Sequence, residues 1–179
     1  DVLRAWDELK FLHDGKYDLI ANLPYYIATN IILRAFEDEL CEHIIVMVQK
    51  EVAQKFTAKV NDKEYSSLGI MTELISKESK ILFDVPPTAF DPMPKVTSSV
   101  LYIKKDLSLK IDKDFNRFLK ACFVQPRKKL SKNLSSILDK SKILALYEEL
   151  ELNDNLRPHE VSSSLYSQMH TKVKNGRDK

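Results

Sequence analysis

The stretch Asn22-Leu23-Pro24-Tyr25 combines residue types that can recognise an amine, directly after a short apolar run over residues 17–21. The apolar run predicts a buried strand that ends at Asn22. The Asn22 amide oxygen and the Leu23 carbonyl can both accept hydrogen bonds from an exocyclic amine, and Tyr25 can stack on a planar base. Pro24 fixes the turn. These residues predict a site that directs the amine nitrogen at an electrophile, and a plain structural turn is the alternative interpretation.

The hydrophobic pattern around this stretch predicts alternating strands and helices. Residues 27–40 have apolar side chains at helical spacing, residues 44–48 form an apolar, β-branched run typical of a central strand, and residues 50–59 predict a helix. This order indicates an α/β protein, which binds ligands at the carboxyl edge of its sheet. Strands over residues 80–85 and 96–104, joined by a proline-rich loop, predict an antiparallel pair at the sheet edge.

The later part of the chain is predicted to be helical and is basic. The change of pattern predicts one domain over residues 1–105 and a second over residues 106–179. Residues 1–103 carry a net charge of −5, and the remainder carries +7. This asymmetry is typical of a surface that binds nucleic acid, and an ordinary solvated helix face is the alternative. Between residues 117 and 142 the single acid is Asp139, among the basic residues Arg117, Lys120, Arg127, Lys128, Lys129, Lys132, Lys140 and Lys142.

Composition excludes several classes of protein. The 179 residues are 44% hydrophobic and 30% charged, the balance of a soluble globular protein. No apolar run reaches the roughly 18 to 20 residues of a membrane span, so we expect no membrane partner and a cytoplasmic location. Cys41, Cys122 and the four histidines lack ligand spacing, so no metal site is expected. With three glycines and no initial methionine, we interpret the chain as a piece of a longer protein.

Four blocks of the sequence resemble one known family, in the family's order. They are NLPYYI at residues 22–27, MVQKEVA at 47–53, VPPTAFDPMPKVTSSV at 85–100 and FVQPRKKLSKNL at 123–134. Together they resemble the KsgA/RsmA family of ribosomal RNA small subunit adenine dimethyltransferases, which are related to the Erm methyltransferases. The resemblance implies the C-terminal part of a Rossmann-like methyltransferase sheet followed by a small all-α domain. It also implies S-adenosylmethionine-dependent dimethylation of two adjacent adenosines in small-subunit ribosomal RNA, a step in ribosome biogenesis.

The resemblance assigns roles to individual residues. Asn22 and Leu23 would bind the amine of an adenine flipped out of the RNA, in the loop turned by Pro24. Tyr25 and Phe90 would stack on its two faces, which fits the aromatic walls that a flipped base needs. Asp1 would bind the adenine amine of S-adenosylmethionine, with Asn22 also in the cofactor site, and Lys95 would contact a phosphate.

The helical part resembles the small domain with which the family grips ribosomal RNA. Arg127, Lys128 and Lys129 would stand at a helix start after Pro126, where cations oppose the helix dipole and phosphate binding would explain them. Lys132 and Asn133 would continue this surface, and Arg117 and Lys120 would add to it. Such contacts carry no sequence information, so the RNA would be recognised by its shape.

The resemblance also implies that part of the catalytic domain is missing. The strand, glycine-rich turn and helix that hold the methionine moiety would precede Asp1, so we expect this polypeptide to bind the cofactor weakly or not at all. The strand at residues 17–21 would then be an exposed edge through which the chain self-associates. Two alternatives stay open: a catalytically inactive RNA-binding or assembly module, and a DNA adenine methyltransferase, which would leave the block at 123–134 unexplained.

Overall fold

A computed structural model of the chain describes residues 2–9, 12–110 and 112–175. These residues form eight α-helices, four β-strands and two short 3-10 turns, at Pro87–Ala89 and Pro158–Glu160. The elements in chain order are α1 (Val2–Leu9), β1 (Tyr17–Asn22), α2 (Ala28–Glu37), β2 (Cys41–Gln49), α3 (Lys50–Thr57), α4 (Ser67–Ile75), β3 (Ser76–Val85), β4 (Ser98–Lys105), α5 (Lys113–Cys122), α6 (Leu130–Leu134), α7 (Lys140–Glu149) and α8 (Ser163–Asn175).

The four strands form one sheet in the order β1-β2-β4-β3. β1 and β2 are parallel, whereas β4 runs antiparallel to both of its neighbours, β2 and β3. β1, β2 and β3 therefore all end at the edge of the sheet where β4 begins. Ser98, the first residue of β4, lies opposite Gln49 at the end of β2 and Val85 at the end of β3. The predicted antiparallel pair is confirmed, with β3 at one edge of the sheet and β4 inside it.

Side chains alternate along the central strands as a half-covered sheet requires. On β2, Ile44, Val46 and Val48 are fully buried, while Ile45 and Met47 between them are only half-buried. Helices α2 and α3 pack against the sheet, and Phe36 of α2 meets Phe56 of α3 edge to face with ring centroids 5.8 Å apart. β1 forms the other edge of the described sheet, and its Ile20 side chain is exposed. The predicted self-association through this edge stays a prediction.

The start of β1 is fixed by a buried carboxylate, Asp38, just after α2. The Trp6 indole N–H and the Tyr17 hydroxyl donate to the Asp38 carboxylate at 2.7 and 2.8 Å, and the Leu40 N–H donates at 2.9 Å. Burial alone would raise the pKa of Asp38, but the hydrogen bonds from Leu40, Tyr17 and Trp6 outweigh it and hold the pKa below its usual value. One side chain thus ties α1, β1 and the connection from α2 to β2 together.

The chain divides into two compact units that differ from the predicted domains. As far as they are described, the first unit comprises residues 1–57 and 75–110, and the second comprises 58–74 and 111–179. The division falls after residue 110 instead of 105, and residues 58–74 belong with the C-terminal helices. The physical reason is visible within the second unit, where the Asn61 N–H donates to the His159 carbonyl at 2.9 Å and Tyr65 is buried.

The second unit has a small aromatic core. Phe118 of α5 packs against Tyr166 of α8 with ring centroids 6.4 Å apart, and both side chains are buried. Helix α5 begins at a well-formed N-cap, because the Asp112 carboxylate accepts the Asp114 N–H at 2.9 Å. Among the residues that the structure describes, no helix has the length and apolarity to cross a membrane.

Candidate functional site

The loop that follows β1 is held by backbone hydrogen bonds on both sides. The Leu23 N–H donates to the Met47 carbonyl at 3.2 Å, so the pairing of β1 with β2 continues one residue beyond the strand. The Pro24 carbonyl then accepts the Ala28 N–H at 3.1 Å, which starts the first turn of α2. Leu23 is buried and Pro24 is exposed, so the loop turns sharply between them.

The two predicted amine acceptors in this loop are unoccupied by protein donors. The Asn22 side chain is exposed, and within the described part of the chain it makes no hydrogen bond. The Leu23 carbonyl likewise accepts no hydrogen bond there. Both oxygens are therefore available to a ligand, as an amine-binding site requires.

The Tyr25 side chain is anchored to the sheet through its hydroxyl group. Its hydroxyl lies 2.7 Å from the hydroxyl oxygen of Ser98, the fully buried first residue of β4. The neighbouring Ser99 hydroxyl donates to the Asp84 carboxylate at 2.7 Å, which also pairs with the Lys50 ammonium at 2.6 Å. The hydrogen bonds from Lys50 and Ser99 hold the pKa of Asp84 below its usual value. Sequence reasoning missed these polar contacts, although both serines stand in the block at 85–100.

The proline-rich loop brings Phe90 to the same edge of the sheet. It leaves β3 through the Pro87–Ala89 turn, and the Phe90 N–H donates back to the Pro87 carbonyl at 3.2 Å. The result is a cavity of about 320 Å³, within the range of small-ligand sites. Its lining consists of Asn22, Leu23, Pro24, Tyr25, Phe90, Pro92 and Pro94. The structure thus brings all five residues predicted for the target base around one space.

Of two further predicted site residues, Lys95 lies away from this cavity and Asp1 cannot be placed. Lys95 is exposed and does not line the cavity, so a phosphate contact by Lys95 stays a prediction. Asp1, predicted to bind the cofactor, lies outside the described residues. Of the predicted cofactor contacts, only Asn22 can be placed, and it lines the cavity.

The basic segment differs from the predicted helix start. The predicted helix start at Arg127, Lys128 and Lys129 is wrong, because α6 covers only Leu130–Leu134 and these three residues form a loop before it. The Leu130 N–H at the start of α6 is not available to an anion, because it donates to the Leu156 carbonyl at 2.7 Å. The three basic side chains are exposed and form no ion pair within the described residues.

Asn133 holds this loop instead of extending its surface. Its side-chain oxygen accepts the Gln125 N–H at 2.7 Å, and its side-chain NH2 donates to the Gln125 and Lys129 carbonyls at 3.1 and 3.2 Å. The expectation that Asn133 continues the RNA-binding surface is therefore wrong, since the residue is buried. Satisfying three backbone groups at once gives the loop a fixed shape although it carries three like charges. We name residues 125–129 the basic loop.

The remaining predicted RNA contacts are exposed in the second unit. Lys120 and Lys132 make no ion pair within the described residues, whereas the Arg117 guanidinium lies 3.0 Å from the Asp114 carboxylate. Their roles in RNA binding stay predictions.

One group of possible metal ligands meets on the sheet, which sequence spacing did not reveal. Asp18, Glu42 and His43 lie on the neighbouring strands β1 and β2. Their polar atoms are already engaged, since His43 Nδ1 lies 2.7 Å from the Asp18 carboxylate and the Lys16 ammonium pairs with Glu42 at 2.7 Å. We assign no metal site to them.

The described sheet has parallel strands with one antiparallel strand inserted, and it carries a cavity at its carboxyl edge. This arrangement defines the class of α/β proteins that bind ligands at the edge of the sheet. Comparison with known sequences narrows this class. A sequence profile of the family described as "Ribosomal RNA adenine dimethylase" matches residues 4–174. The chain therefore belongs to the ribosomal RNA adenine dimethylase family, which confirms the predicted family and enzyme class.

Two similar proteins, each named "Ribosomal RNA small subunit methyltransferase A", illustrate the relationship. The one from Aliarcobacter butzleri is 82% identical over all 179 residues, and the one from Sulfurimonas denitrificans is 50% identical over 95% of the chain. The chain spans 68% of the first relative and 62% of the second. It thus corresponds to about two thirds of their length.

Solved structures confirm the predicted fold class. A dimethyladenosine transferase from Plasmodium falciparum matches with a TM-score of 0.76 and 20% identity, covering 97% of this chain and 77% of the other. The 23S rRNA methyltransferase ErmE matches with a TM-score of 0.63 and 17% identity, covering 90% of this chain and 67% of the other. At these identities the likeness concerns the fold alone.

Proposed function

We propose that this chain supplies the target-base site and the RNA-gripping unit of an enzyme that dimethylates two adjacent adenosines in small-subunit ribosomal RNA, with S-adenosylmethionine as methyl donor. The observation that carries the proposal is the cavity at the sheet edge. An amide, a free backbone carbonyl and two aromatic rings line one space of about 320 Å³. This is the set of groups that a flipped adenine needs to replace its lost stacking and pairing.

The chain's own residues would act by positioning. In the first methyl transfer, Asn22 Oδ1 and the Leu23 carbonyl accept the two amine hydrogens, which leaves the nitrogen lone pair directed out of the plane of the base. In the second, one of them accepts the single hydrogen that remains. When bound, S-adenosylmethionine supplies an electrophilic sulfonium methyl group. The same two acceptors stabilise the positive charge that develops on the nitrogen, and the proton leaves to solvent afterwards. No side chain of the cavity has to act as a general base.

Among the residues that the structure describes, Asn22 is the one proposed to contact the methyl donor. Asn22 borders the cavity, and its exposed amide is the group of this chain that would contact both the donor and the amine. Aspartate is a suitable acceptor for an adenine amine, which supports the role proposed for Asp1. We do not expect this chain to bind the donor tightly.

The basic loop supports the proposed RNA substrate. Three exposed cations on a loop of fixed shape suit a phosphate backbone, whose contacts position a protein without reading sequence. The names of the relatives support small-subunit RNA as the partner. The cytoplasm as the place of reaction belongs to the same proposal.

A methyl-transfer assay tests this function. The full-length protein that contains this chain is incubated with radiolabelled S-adenosylmethionine and small-subunit RNA, large-subunit RNA or duplex DNA, and the modified nucleosides are mapped by mass spectrometry. Dimethyladenosine at two adjacent positions of small-subunit RNA is the expected product. Label in duplex DNA alone would instead identify a DNA adenine methyltransferase.

A second candidate function is an RNA-binding or assembly module without catalysis. It is favoured by the division of the chain, because the whole basic loop lies in a compact helical unit of its own. Calorimetric titration of the full-length protein with S-adenosylmethionine and with RNA distinguishes the two, because the enzyme should bind both and the module only RNA. RNA binding with no methyl transfer by the full-length protein would establish the module.

Replacing Arg127, Lys128 and Lys129 together by alanine is expected to weaken RNA binding at every sequence. Each lost phosphate contact lowers the slope of log affinity against log salt by about 0.7 to 0.9, so three contacts lower it by about 2 to 3. Affinity should fall roughly tenfold to a hundredfold near physiological salt. Fluorescence anisotropy with labelled RNA at several salt concentrations measures both quantities.

The matched control removes the same charge from the first unit. Lys77, Lys104 and Lys110 are exposed, and their triple alanine variant should bind RNA with a nearly unchanged salt slope. Equal slopes in the two triple variants would show that net charge, and not the basic loop, drives binding.

A further inference from the structure

The first residues of β4 are the best-placed group outside the residues already assigned to the site. Ser98 and Ser99 are both fully buried, and successive residues of a strand point to opposite faces. Ser98 meets the Tyr25 hydroxyl at 2.7 Å, whereas Ser99 donates to Asp84 at 2.7 Å on the other side. The two hydroxyls therefore hold different neighbours.

We propose that Ser98 is a positioning residue for methyl transfer, which fixes the Tyr25 ring through its hydroxyl at the stacking distance of the target base. The inference rests on the proposed function, because it assumes that Tyr25 stacks on adenine. Ser98 does not line the cavity and does not touch the base itself.

The backbone of Ser98 is held more rigidly than the backbone of a loop residue. Ser98 pairs with Gln49 of β2 and with Val85 of β3, so its backbone is fixed by both neighbouring strands. Tyr25, by contrast, stands in a loop and is only half-buried. A hydroxyl on a rigid strand that bonds a ring on a loop limits the rotation of that ring, and supporting contacts of this kind keep functional groups in their productive geometry.

The pairing also decides which part of Tyr25 remains for a ligand. With its hydroxyl held by Ser98, Tyr25 meets a ligand in the cavity through its ring and not through a freely rotating hydroxyl. The amine is then left to Asn22 and the Leu23 carbonyl. The small size of serine matters, because a larger side chain at this fully buried position would push the ring into the cavity.

A double-mutant cycle with Ser98→Ala and Tyr25→Phe tests the proposal in the full-length protein. Each single change removes one end of the same hydrogen bond, which is worth about 1 kcal/mol, or about fivefold in rate. Each should lower kcat by about fivefold with little change in KM for RNA, and the double variant should be no slower than either single variant. Ser79→Ala on β3, the same change away from the cavity, should leave kcat unaltered.

A second readout separates this inference from the proposed function. RNA with 2-aminopurine at the target position becomes fluorescent when the base leaves the stack, and is quenched again on an aromatic ring. Ser98→Ala should reduce the quenching seen with the unaltered protein, while RNA affinity stays the same. Unchanged kcat and quenching in Ser98→Ala, or strictly additive effects in the cycle, would overturn the inference. An unaltered protein that neither methylates RNA nor unstacks the probe would refute the proposed function itself.

Discussion

Asn22→Ala in the full-length protein is expected to lower methyl transfer by roughly 100-fold to 1,000-fold, the cost of removing one preorganised electrostatic contact to a transition state. The Asn22 amide has no protein partner within the described residues, so the change breaks no internal hydrogen bond. What is lost is one of the two acceptors that orient the amine and stabilise its developing charge. The free energy of unfolding should remain nearly the same.

RNA affinity separates this effect from a general loss of function. Because binding of the RNA depends on the exposed cations of the second unit, Asn22→Ala should bind RNA within about twofold of the unaltered protein. Single-turnover methyl transfer and fluorescence anisotropy measure the two quantities on one preparation. Asn30→Ala, an exposed asparagine of α2 outside the cavity, is the matched control. Loss of RNA binding in Asn22→Ala would contradict the role assigned to its amide.

Asp38→Ala is expected to destabilise the first unit strongly. It leaves the Trp6 N–H, the Tyr17 hydroxyl and the Leu40 N–H without their shared acceptor, and each buried donor left unsatisfied costs about 1 to 3 kcal/mol. Urea unfolding at neutral pH measures the loss. Asp7→Ala, at an exposed carboxylate that pairs with Arg34 on the surface, should change stability little.

The effect of Asp38 should depend on pH in a defined direction. Its pKa is lower in the folded state than in the unfolded chain, so ionised Asp38 contributes its full stabilisation above the unfolded value of about 4. That contribution is lost as the pH falls through the lower, folded pKa. The difference in unfolding free energy between the unaltered protein and Asp38→Ala should therefore shrink as the pH falls below about 4. A difference that stays constant over this range would contradict the ionised, hydrogen-bonded state of Asp38.

Local signals in the sequence were sufficient for the elements that carry the cavity. The apolar run before Asn22, the helical spacing that follows, and the β-branched run at residues 44–48 predicted β1, α2 and β2 near their observed bounds. Four residues of the cavity are adjacent in sequence, so they could be predicted together as one site. The role of Phe90 was predicted from the family resemblance, because no local pattern connects this residue with the loop at residues 22–25.

The features that were missed depend on contacts between distant residues. The Ser98 hydroxyl meets a tyrosine 73 positions away, and Asp38 gathers donors up to 32 positions away. Asn133 was assigned to the surface because it follows Lys132 next to the basic segment, whereas its amide satisfies the backbone of the basic loop and is buried. Residues 58–74 lie inside the predicted first domain, and only their packing assigns them to the second unit.

Photocrosslinking of the target base is the most direct test of the proposed base site. Small-subunit RNA carrying 8-azidoadenosine at either of the two adjacent target positions is bound to the full-length protein and irradiated, and the crosslinked peptides are identified by mass spectrometry. Crosslinks to Tyr25 or Phe90 are expected, because these two rings line the cavity from opposite loops. Crosslinks confined to peptides outside residues 22–27 and 85–100 would contradict the assignment of the cavity to the flipped adenine.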